Sequence, residues 1–497
     1  MNKLRANFSL ALLFVFLLAT LAACDNPLQA PISNPHLHPQ RATGDWPMFG
    51  YAPDRSGVNP GETLLTPATV GHMQKLWQVA LPDVADSSPI LLHGLRFPDG
   101  KLRDVLYVTT RDGRIIALDA NDGSTLWSHQ PVGPKITNSS AVADPNRKYI
   151  YAYGLDGYLH KYNAITGAET LGHGWPVQIT RMRDTEKEAS ALNLANGYLY
   201  VTTSGYIGDA PPYQGHLVTI NLATGAIHVF NSLCSQITHL MTGGECTAER
   251  SGAWARGGAV VDPVTGDVFF TTGNGPFDAN SGGDDFGDTI LKLSPDGSHL
   301  LDSYTPTNYA TLDAADEDLG SVAPALLPSI KGSKTPLLLA QGGKDGVLRL
   351  INRQNMSGAG APGHVGGELQ AISASGCNLF AQPAVWTDPH TGVVWLFAPF
   401  TCGLTAYQVV TNATGQTRLR QAWKLADTVN SPVVAGGVLF AIESSRILAL
   451  TPQTGATLWS SSQGFGAVHW ESPIVIGGAL YVADENATFS AYGLAKR

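Results

Sequence analysis

Charge is scarce in this chain. Only 14% of its 497 residues are Asp, Glu, Lys or Arg, the balance is −9, and the 31 Lys and Arg form no cluster. A surface that neutralises a phosphate backbone needs such a cluster, so nucleic acid is excluded as a partner. Cysteine is rarer still, at five. None lies in a Cys-x-x-Cys-His motif, so no haem domain is attached, and none has the spacing of a zinc module. Gly (54) and Pro (31) are plentiful, and aromatic residues are spread along the whole length. That composition suits many short strands joined by turns.

The N-terminus differs from the rest. Lys3 and Arg5 precede an apolar run from Leu10 to Leu18, and small residues then lead to Cys24. The run is too short to span a bilayer comfortably, so residues 1–23 read as a removed secretory leader. Leu21-Ala22-Ala23-Cys24 resembles a bacterial lipobox. The resemblance implies a lipid on Cys24, which becomes the mature N-terminus and anchors the protein in the cell envelope, facing the extracytoplasmic side. Asp25 resembles an inner-membrane retention signal. Residues 24–45, rich in Pro, Asn, Gln and His, read as a flexible tether, and residues 46–497 remain for the folded body.

That body repeats. Ser87-Ser88-Pro89-Ile90, Val105-Leu106-Tyr107-Val108-Thr109, Arg114 to Asp119 and Asp122-Gly123-Ser124-Thr125-Leu126-Trp127 form one copy. Ser431-Pro432-Val433, Val438-Leu439-Phe440, Ile447 to Leu450 and Thr454 to Trp459 match it step for step. Strand openings of this kind begin at Ser88, Ser140, Ser190, Gly258, Ala323, Gln382, Ser431 and Ser472, making eight units. Their spacing, from about 40 to 70 residues, suits a four-stranded propeller blade with loop insertions, whereas helical repeats would show a 3.6-residue apolar period. The fold expected is all-β: an eight-bladed β-propeller of four-stranded antiparallel blades. The last unit ends at Tyr492 without a fourth strand, and Lys75-Leu76-Trp77-Gln78-Val79 resembles an orphan one. The N-terminal strand should therefore close the ring and leave no long edge exposed. Trp77, Trp127, Trp423 and Trp459 are expected to pack between blades.

An exported protein is permitted disulfides. Folding the hairpin around Asp388-Pro389-His390-Thr391-Gly392 symmetrically sets Cys377 opposite Cys402, and Cys234 with Cys246 would then close a second loop inside the third repeat.

The repeat Ala117-Leu118-Asp119 to Gly123 to Trp127, copied at Ala449 to Trp459, resembles the pyrroloquinoline-quinone (PQQ) repeat superfamily over nearly all of the mature chain. That superfamily contains quinoprotein alcohol dehydrogenases, which oxidise alcohols with PQQ and Ca²⁺, and non-catalytic envelope lipoproteins. Three stretches resemble the dehydrogenase pattern. Phe269-Phe270-Thr271-Thr272-Gly273-Asn274 implies that Asn274 binds the metal and cofactor. Asp316-Glu317-Asp318-Leu319-Gly320-Ser321 implies a catalytic base at Asp318, which would also face bound calcium. Gly342-Gly343-Lys344-Asp345-Gly346 implies that Lys344 contacts the quinone oxygens. Two departures stand against the enzyme: no adjacent cysteine pair is present, and the position matching the calcium glutamate is Ile207, two residues before Asp209. An isoleucine cannot ligate a hard cation.

The mouth of the propeller is expected at the starts of the first strands. Asp86, Asn138, Glu188, Arg256, Asn430 and Glu471 precede those starts, with Trp254 and Trp470 beside them, so Asp86 and Trp254 join the candidate cofactor residues. Such a ring suits a small polar ligand, and it also suits a plain polar channel. The acidic loop Gly282-Gly283-Asp284-Asp285-Phe286-Gly287-Asp288 reads as a solvated turn. Two functions follow: a lipid-anchored binding or scaffold propeller whose partners are envelope proteins or a small polar ligand, and a PQQ- and calcium-dependent dehydrogenase of alcohols or polymeric alcohols.

Overall fold

Each repeat folds into four antiparallel strands because its apolar runs are too short for helices and are bounded by Gly- and Asp-rich turns. The computed structural model describes residues 32–33, 40, 44–130, 133, 136–206, 210–374, 376–444, 446–461 and 466–495. The leader, Cys24, Asp25 and most of the tether lie outside the described residues, as do Ile207 and Asp209. Blade one comprises Ile90–Arg96, Leu102–Thr109, Ile115–Asp119 and Thr125–His129. Blade seven repeats it with Val433–Ala435, Val438–Ile442, Ile447–Leu450 and Thr457–Ser460. Eight such sheets make an eight-bladed, almost all-β propeller. The middle strands are buried on both faces, which is why Val105–Val108 and Ile115–Leu118 read as continuous apolar runs. Blade eight holds Ile474–Ile476, Ala479–Asp484 and Thr488–Gly493 and takes its fourth strand, Gln74–Ala80, from the other end of the chain. Trp77 stands opposite Ala491 in that pairing, so the strand expected at Lys75–Val79 seals the ring.

The fourth-strand tryptophans join blade to blade. The indole of Trp77 donates to the carbonyl of Ala120 at 3.1 Å, in the turn before the last strand of blade one. Trp127 donates to Ala164 in blade two at 3.1 Å, and Trp423 to Pro452 in blade seven at 2.9 Å. Each indole lies against the glycine of the same turn. A Cβ built on Gly123, Gly167 or Gly455 would come within 2.9 Å of Trp77, 2.7 Å of Trp127 or 2.8 Å of Trp423. All three glycines also have φ between +70° and +77°, so the turn and the inter-blade contact both require glycine. Trp459 packs against Tyr492 of blade eight, ring centres 6.3 Å apart. Both disulfides form as expected, Cys377–Cys402 with Cα atoms 5.3 Å apart and Cys234–Cys246 with Cα atoms 6.0 Å apart.

A feature that the repeat pattern gives no hint of is a belt from Trp46 to Glu62. It runs across the ends of the inner strands away from the mouth and bonds to blade after blade. Trp46 exchanges two backbone hydrogen bonds of 2.8 Å with Leu91, and Pro47 accepts from Ala143 at 2.8 Å. Pro53 accepts from the Asn193 side chain and from Val261, Ser56 from Val385, and Gly57 from Val434. Val58–Asn59 then pairs in parallel with Val434–Ala435, and the Asn59 amide donates to Val475 at 2.8 Å. At its centre Arg55 is 1% exposed, and its guanidinium donates to the carbonyls of Phe49, Ala191, Leu192 and Gly257 at 2.7 to 3.1 Å. A cavity of about 560 Å³ at this end is lined by Asp54, Asn59, Glu62, Arg353, Trp386 and His390. Several of its polar groups have internal partners, among them Glu62 with the Leu64, Leu65 and Gly478 amides and Arg353 with Asp262.

Arg55→Met should strip the four carbonyls of their donors. We expect it to lower the unfolding free energy by about 3 kcal/mol or more, since each buried polar group left unpaired costs about 1–3 kcal/mol and removal of the buried charge offsets part of the sum. Denaturant unfolding of the two proteins measures this, and a loss below about 1 kcal/mol would mean that the belt is not held by Arg55.

Candidate functional site

Three connections on neighbouring blades deliver the site. The insertion after blade three, stapled by Cys234–Cys246, returns through Arg250, Ser251 and Trp254 to the mouth. The second strand of blade four ends at Thr271 and hands on to Gly273 and Asn274. Between blades four and five the helix Tyr309–Ala315 ends on a left-handed Asp316, φ 55°, and turns the chain so that Asp318 enters the interior. Lys344 sits in the turn between Leu338–Gln341 and Val347–Asn352 of blade five. Backbone hydrogen bonds bolt these pieces together: Gly273 N–H to Gly252 at 2.8 Å, Ser251 N–H to Asn274 at 2.7 Å and Lys344 N–H to Asp318 at 2.9 Å. Gly273 permits the assembly, because a Cβ there would lie 2.6 Å from Asp318 Oδ1 and 3.1 Å from the Trp254 indole nitrogen.

The structure thus brings Asn274, Asp318, Lys344 and Trp254 to one place, with Asp86 on the same cavity wall. The cavity has a volume of about 320 Å³ and is also lined by Asn138, Lys187, Tyr206, Asp316, His469 and Trp470. Asp318 is 3% exposed. Lys344 Nζ lies 2.6 Å from its Oδ2, 2.9 Å from Asp316 Oδ1, and 5.3 Å from the centre of the Trp254 ring. Burial raises the Asp318 pKa, and the Lys344 charge opposes that rise. Burial works against the Lys344 charge, but the carboxylates of Asp318 and Asp316 hold it above the ordinary lysine value. Trp254, Phe380 and Trp470 form an aromatic group with ring centres 6.0 to 6.4 Å apart.

Asn274 decides how this group treats a cation. Its backbone N–H donates to Asp318 Oδ1 at 2.5 Å. With the side-chain nitrogen also turned to Asp318 Oδ1 (3.0 Å), the amide oxygen accepts from Arg250 Nη1 at 3.1 Å. The opposite orientation sets oxygen against oxygen and N–H against guanidinium. Without a cation the first orientation is the satisfied one. Asp318 is then held by Lys344 and two Asn274 donors, and no amide oxygen faces it. With the amide turned the other way, the Asn274 and Asp318 oxygens are the described groups that would hold the calcium the family resemblance implies. The cavity itself carries aromatic faces beside Trp254 and the Lys344 and Lys187 ammoniums on its wall.

Beside the cavity a buried arginine ties three connections together. Arg256 is 4% exposed and bonds carbonyls of three connections, Asp86, Asn138 (3.2 Å) and Trp470 (2.9 Å). Glu188 and Glu471 beside it are both 0% exposed. The expected mixed signs are present, then, as buried side chains. Lys187, buried next to Arg256, is pushed down to about 8 by burial and by that neighbouring charge. The sequence reading missed Lys187 and His469, although both fall just before strand openings, the same signal that identified Glu188 and Trp254. It also missed Phe380 and Arg250, which nothing in the repeat marks. In the acidic loop, Asp285 accepts from the Cys234 amide at 2.8 Å and so braces the disulfide-bonded insertion, while Asp288 is 1% exposed and is no part of a solvated turn.

Comparison with known proteins agrees with the fold. The family model for the glucose/ethanol/alcohol dehydrogenase β-propeller domain matches residues 46–355, and that of the outer membrane protein assembly factor BamB matches residues 404–496. The chain is 24% identical over 290 residues to the dehydrogenase subunit of the quinone alcohol dehydrogenase of Komagataeibacter europaeus, covering 52% of this chain and 37% of that protein. It is 40% identical over 73 residues to the quinohemoprotein alcohol dehydrogenase ADH IIB of Pseudomonas putida, covering 13% of this chain and 10% of that protein. The matched stretches therefore span well under two thirds of these relatives. Among solved structures, the quinohemoprotein alcohol dehydrogenase of Comamonas testosteroni superposes with a TM-score of 0.65 at 15% identity, covering 92% of this chain and 81% of that one. That likeness is one of fold.

Asp288 gives the site a pH dependence. Burial, reinforced by the charges of Asp318, Asp313 and Asp345, lifts its pKa from 3.8 to about 8, and its Oδ2 accepts no hydrogen bond. Between those limits the folded chain binds a proton that the unfolded chain has lost, so this residue's contribution to stability falls as pH rises from about 4 to about 8. Asp288→Asn should remove that fall. We expect the stability difference, variant minus wild type, to grow in the variant's favour by about 1–3 kcal/mol between pH 5 and pH 8, in urea titrations at both values.

Proposed function

This chain belongs to the β-propeller family of the glucose, ethanol and alcohol dehydrogenases, and from that premise we propose that its mouth is a binding pocket for a small, flat, anionic ligand of the quinone-cofactor class. The observation that carries this reading is the Lys344 ammonium, held by Asp316 and Asp318 at the cavity wall and 5.3 Å from the Trp254 ring centre. An aromatic face beside a fixed cation recognises a flat anion by stacking and by charge-assisted hydrogen bonds. Trp470 and Phe380 extend the apolar surface, and Lys187 adds a second cation on the wall.

Turnover is the second reading, favoured by the burial of Asp318 and the proton affinity it confers. When bound, a quinone of this class supplies two-electron oxidation. The part of this chain would be to hold an alcohol hydroxyl at Asp318 and take its proton there. That requires Lys344 to leave the carboxylate for the ligand's oxygens, because an ammonium 2.6 Å away makes Asp318 a weak base. We also propose that the propeller is held at the outer face of a membrane by lipid on Cys24, a reading supported by the Leu21-Ala22-Ala23-Cys24 sequence.

Two measurements test these readings. PQQ added to the purified protein, with free cofactor removed, should leave retained quinone absorbance and quenched tryptophan fluorescence, and Lys344→Met should weaken binding about tenfold or more. Absence of retained quinone would defeat the binding reading. A dye-coupled alcohol assay in the same sample, with activity lost in Asp318→Asn, would establish the second. For the anchor, mass spectrometry of the mature protein should find an acylated N-terminal Cys24, and a mature chain beginning elsewhere would exclude it.

A further inference from the structure

A second group of ligating side chains stands where blade eight meets blade one. Asp86 lies in the segment entering blade one, His469 in the segment entering blade eight, and Glu485 in the hairpin turn between Ala479–Asp484 and Thr488–Gly493. One ligand atom from each lies within 4.8 Å of the others. We propose that Asp86, His469 and Glu485 form a binding site for a divalent transition-metal ion, opening into the mouth cavity, at a place independent of the Asn274–Asp318 pair and of the quinone reading.

The hydrogen bonding of these residues is incomplete in the way a missing cation leaves it. Asp86 is 5% exposed, yet its Oδ1 has no donor, and the buried Oε1 of Glu485 has none either. A ligand atom of one carboxylate lies within 4.8 Å of one on the other. Buried acceptors without donors are rare in native proteins, and two facing each other need a shared proton or a cation between them. His469 Nδ1 lies 3.3 Å from Asp86 Oδ2, long for a hydrogen bond between these atoms. Two ligands about 2.0–2.2 Å from a tetrahedral ion stand about 3.4 Å apart, so the spacing suits coordination. An imidazole with two carboxylates selects zinc, manganese, iron or cobalt over calcium or magnesium.

The charges facing the group are Arg111, whose Nη1 is 3.6 Å from Glu485 Oε2, and Arg256, which donates to the Asp86 carbonyl. Glu471, fully buried, adds a third carboxyl group. Neither arginine donates to Asp86 Oδ1 or Glu485 Oε1, so the group is charge-compensated but not coordinated. The His469 side chain is 54% exposed, and with Asp86 it lines the cavity, which leaves an approach from the mouth and room for a water or ligand oxygen on the ion.

Co²⁺ is the probe, because its visible absorbance reports ligation by imidazole and carboxylate. Titration of the metal-free protein should show one saturable site that Zn²⁺ displaces and Ca²⁺ does not. His469→Ala, at a largely exposed position, and Glu485→Gln, which keeps the side-chain shape, should each weaken binding about tenfold or more. Asp318→Asn should leave it unchanged, and thermal unfolding in chelator confirms that all three variants fold. The proposal is overturned if the wild type shows no saturable Co²⁺ signal, as a proton shared by the carboxylates would give. It is equally overturned if both variants bind as the wild type does, or if Asp318→Asn abolishes the signal.

Discussion

Everything at the mouth depends on how one blade is fixed to the next, and that is done by an indole lying on a glycine. Where Trp77, Trp127 and Trp423 meet Gly123, Gly167 and Gly455, a large apolar face is buried and the indole N–H finds a carbonyl. Aromatic burial of this kind contributes several kcal/mol per side chain, and the polar end is satisfied without water. The contact is short, so it fixes the separation and tilt of neighbouring blades rather than merely adding cohesion. Trp77 carries it across the junction where the two ends of the chain meet. The loops that bear Trp254, Asn274, Asp318 and Lys344 inherit their positions from that spacing.

Given such a frame, the site can hold charges that would otherwise be costly to bury. Asp318, Asp288, Glu188 and Glu471 are almost wholly enclosed, as are Arg256 and Lys187. Their compensation is distributed: Lys344 serves Asp318, the Leu319 amide serves Asp288, and Arg256 spans three connections. A buried carboxylate paired with an ammonium and backbone amides is tolerable, whereas one left alone takes up a proton. The cavity is therefore electrostatically uneven, with cations beside Trp254 and carboxylates beside His469. That unevenness is what would orient a charged ligand within it.

The chain wrote out its fold in the parts that recur. Eight openings, the Thr-Gly and Asp-Gly turns, the orphan strand at Lys75–Val79 and both cysteine pairs could all be read, because each is a local pattern copied or paired along the sequence. Asn274, Asp318 and Lys344 stand out by their resemblance to the dehydrogenase pattern, and the fold brings the three together. The belt was not legible. Its partners are backbone groups on seven different blades, and Trp46 to Glu62 carry no periodicity that would announce them. Nor was the environment of Asp288, which looks like one more acid in a glycine-rich loop until the Leu319 amide and the charges of Asp313, Asp318 and Asp345 are assembled round it. His469 and Glu485 belong to different turns of one blade, so only the folded ring shows that they meet Asp86.

The belt has its counterpart at the mouth. Arg55 bonds carbonyls of blades three and four from the belt side, and Arg256, with Glu188 and Glu471 beside it, bonds three connections at the mouth. Among the described residues His469, Trp470 and Tyr206 line the cavity that holds Trp254, and selectivity for what binds there would reside in them. Members of one fold family can share every blade contact and differ only there, which is why a TM-score of 0.65 to a dehydrogenase fixes the scaffold, while the chemistry rests on the charges round one cavity.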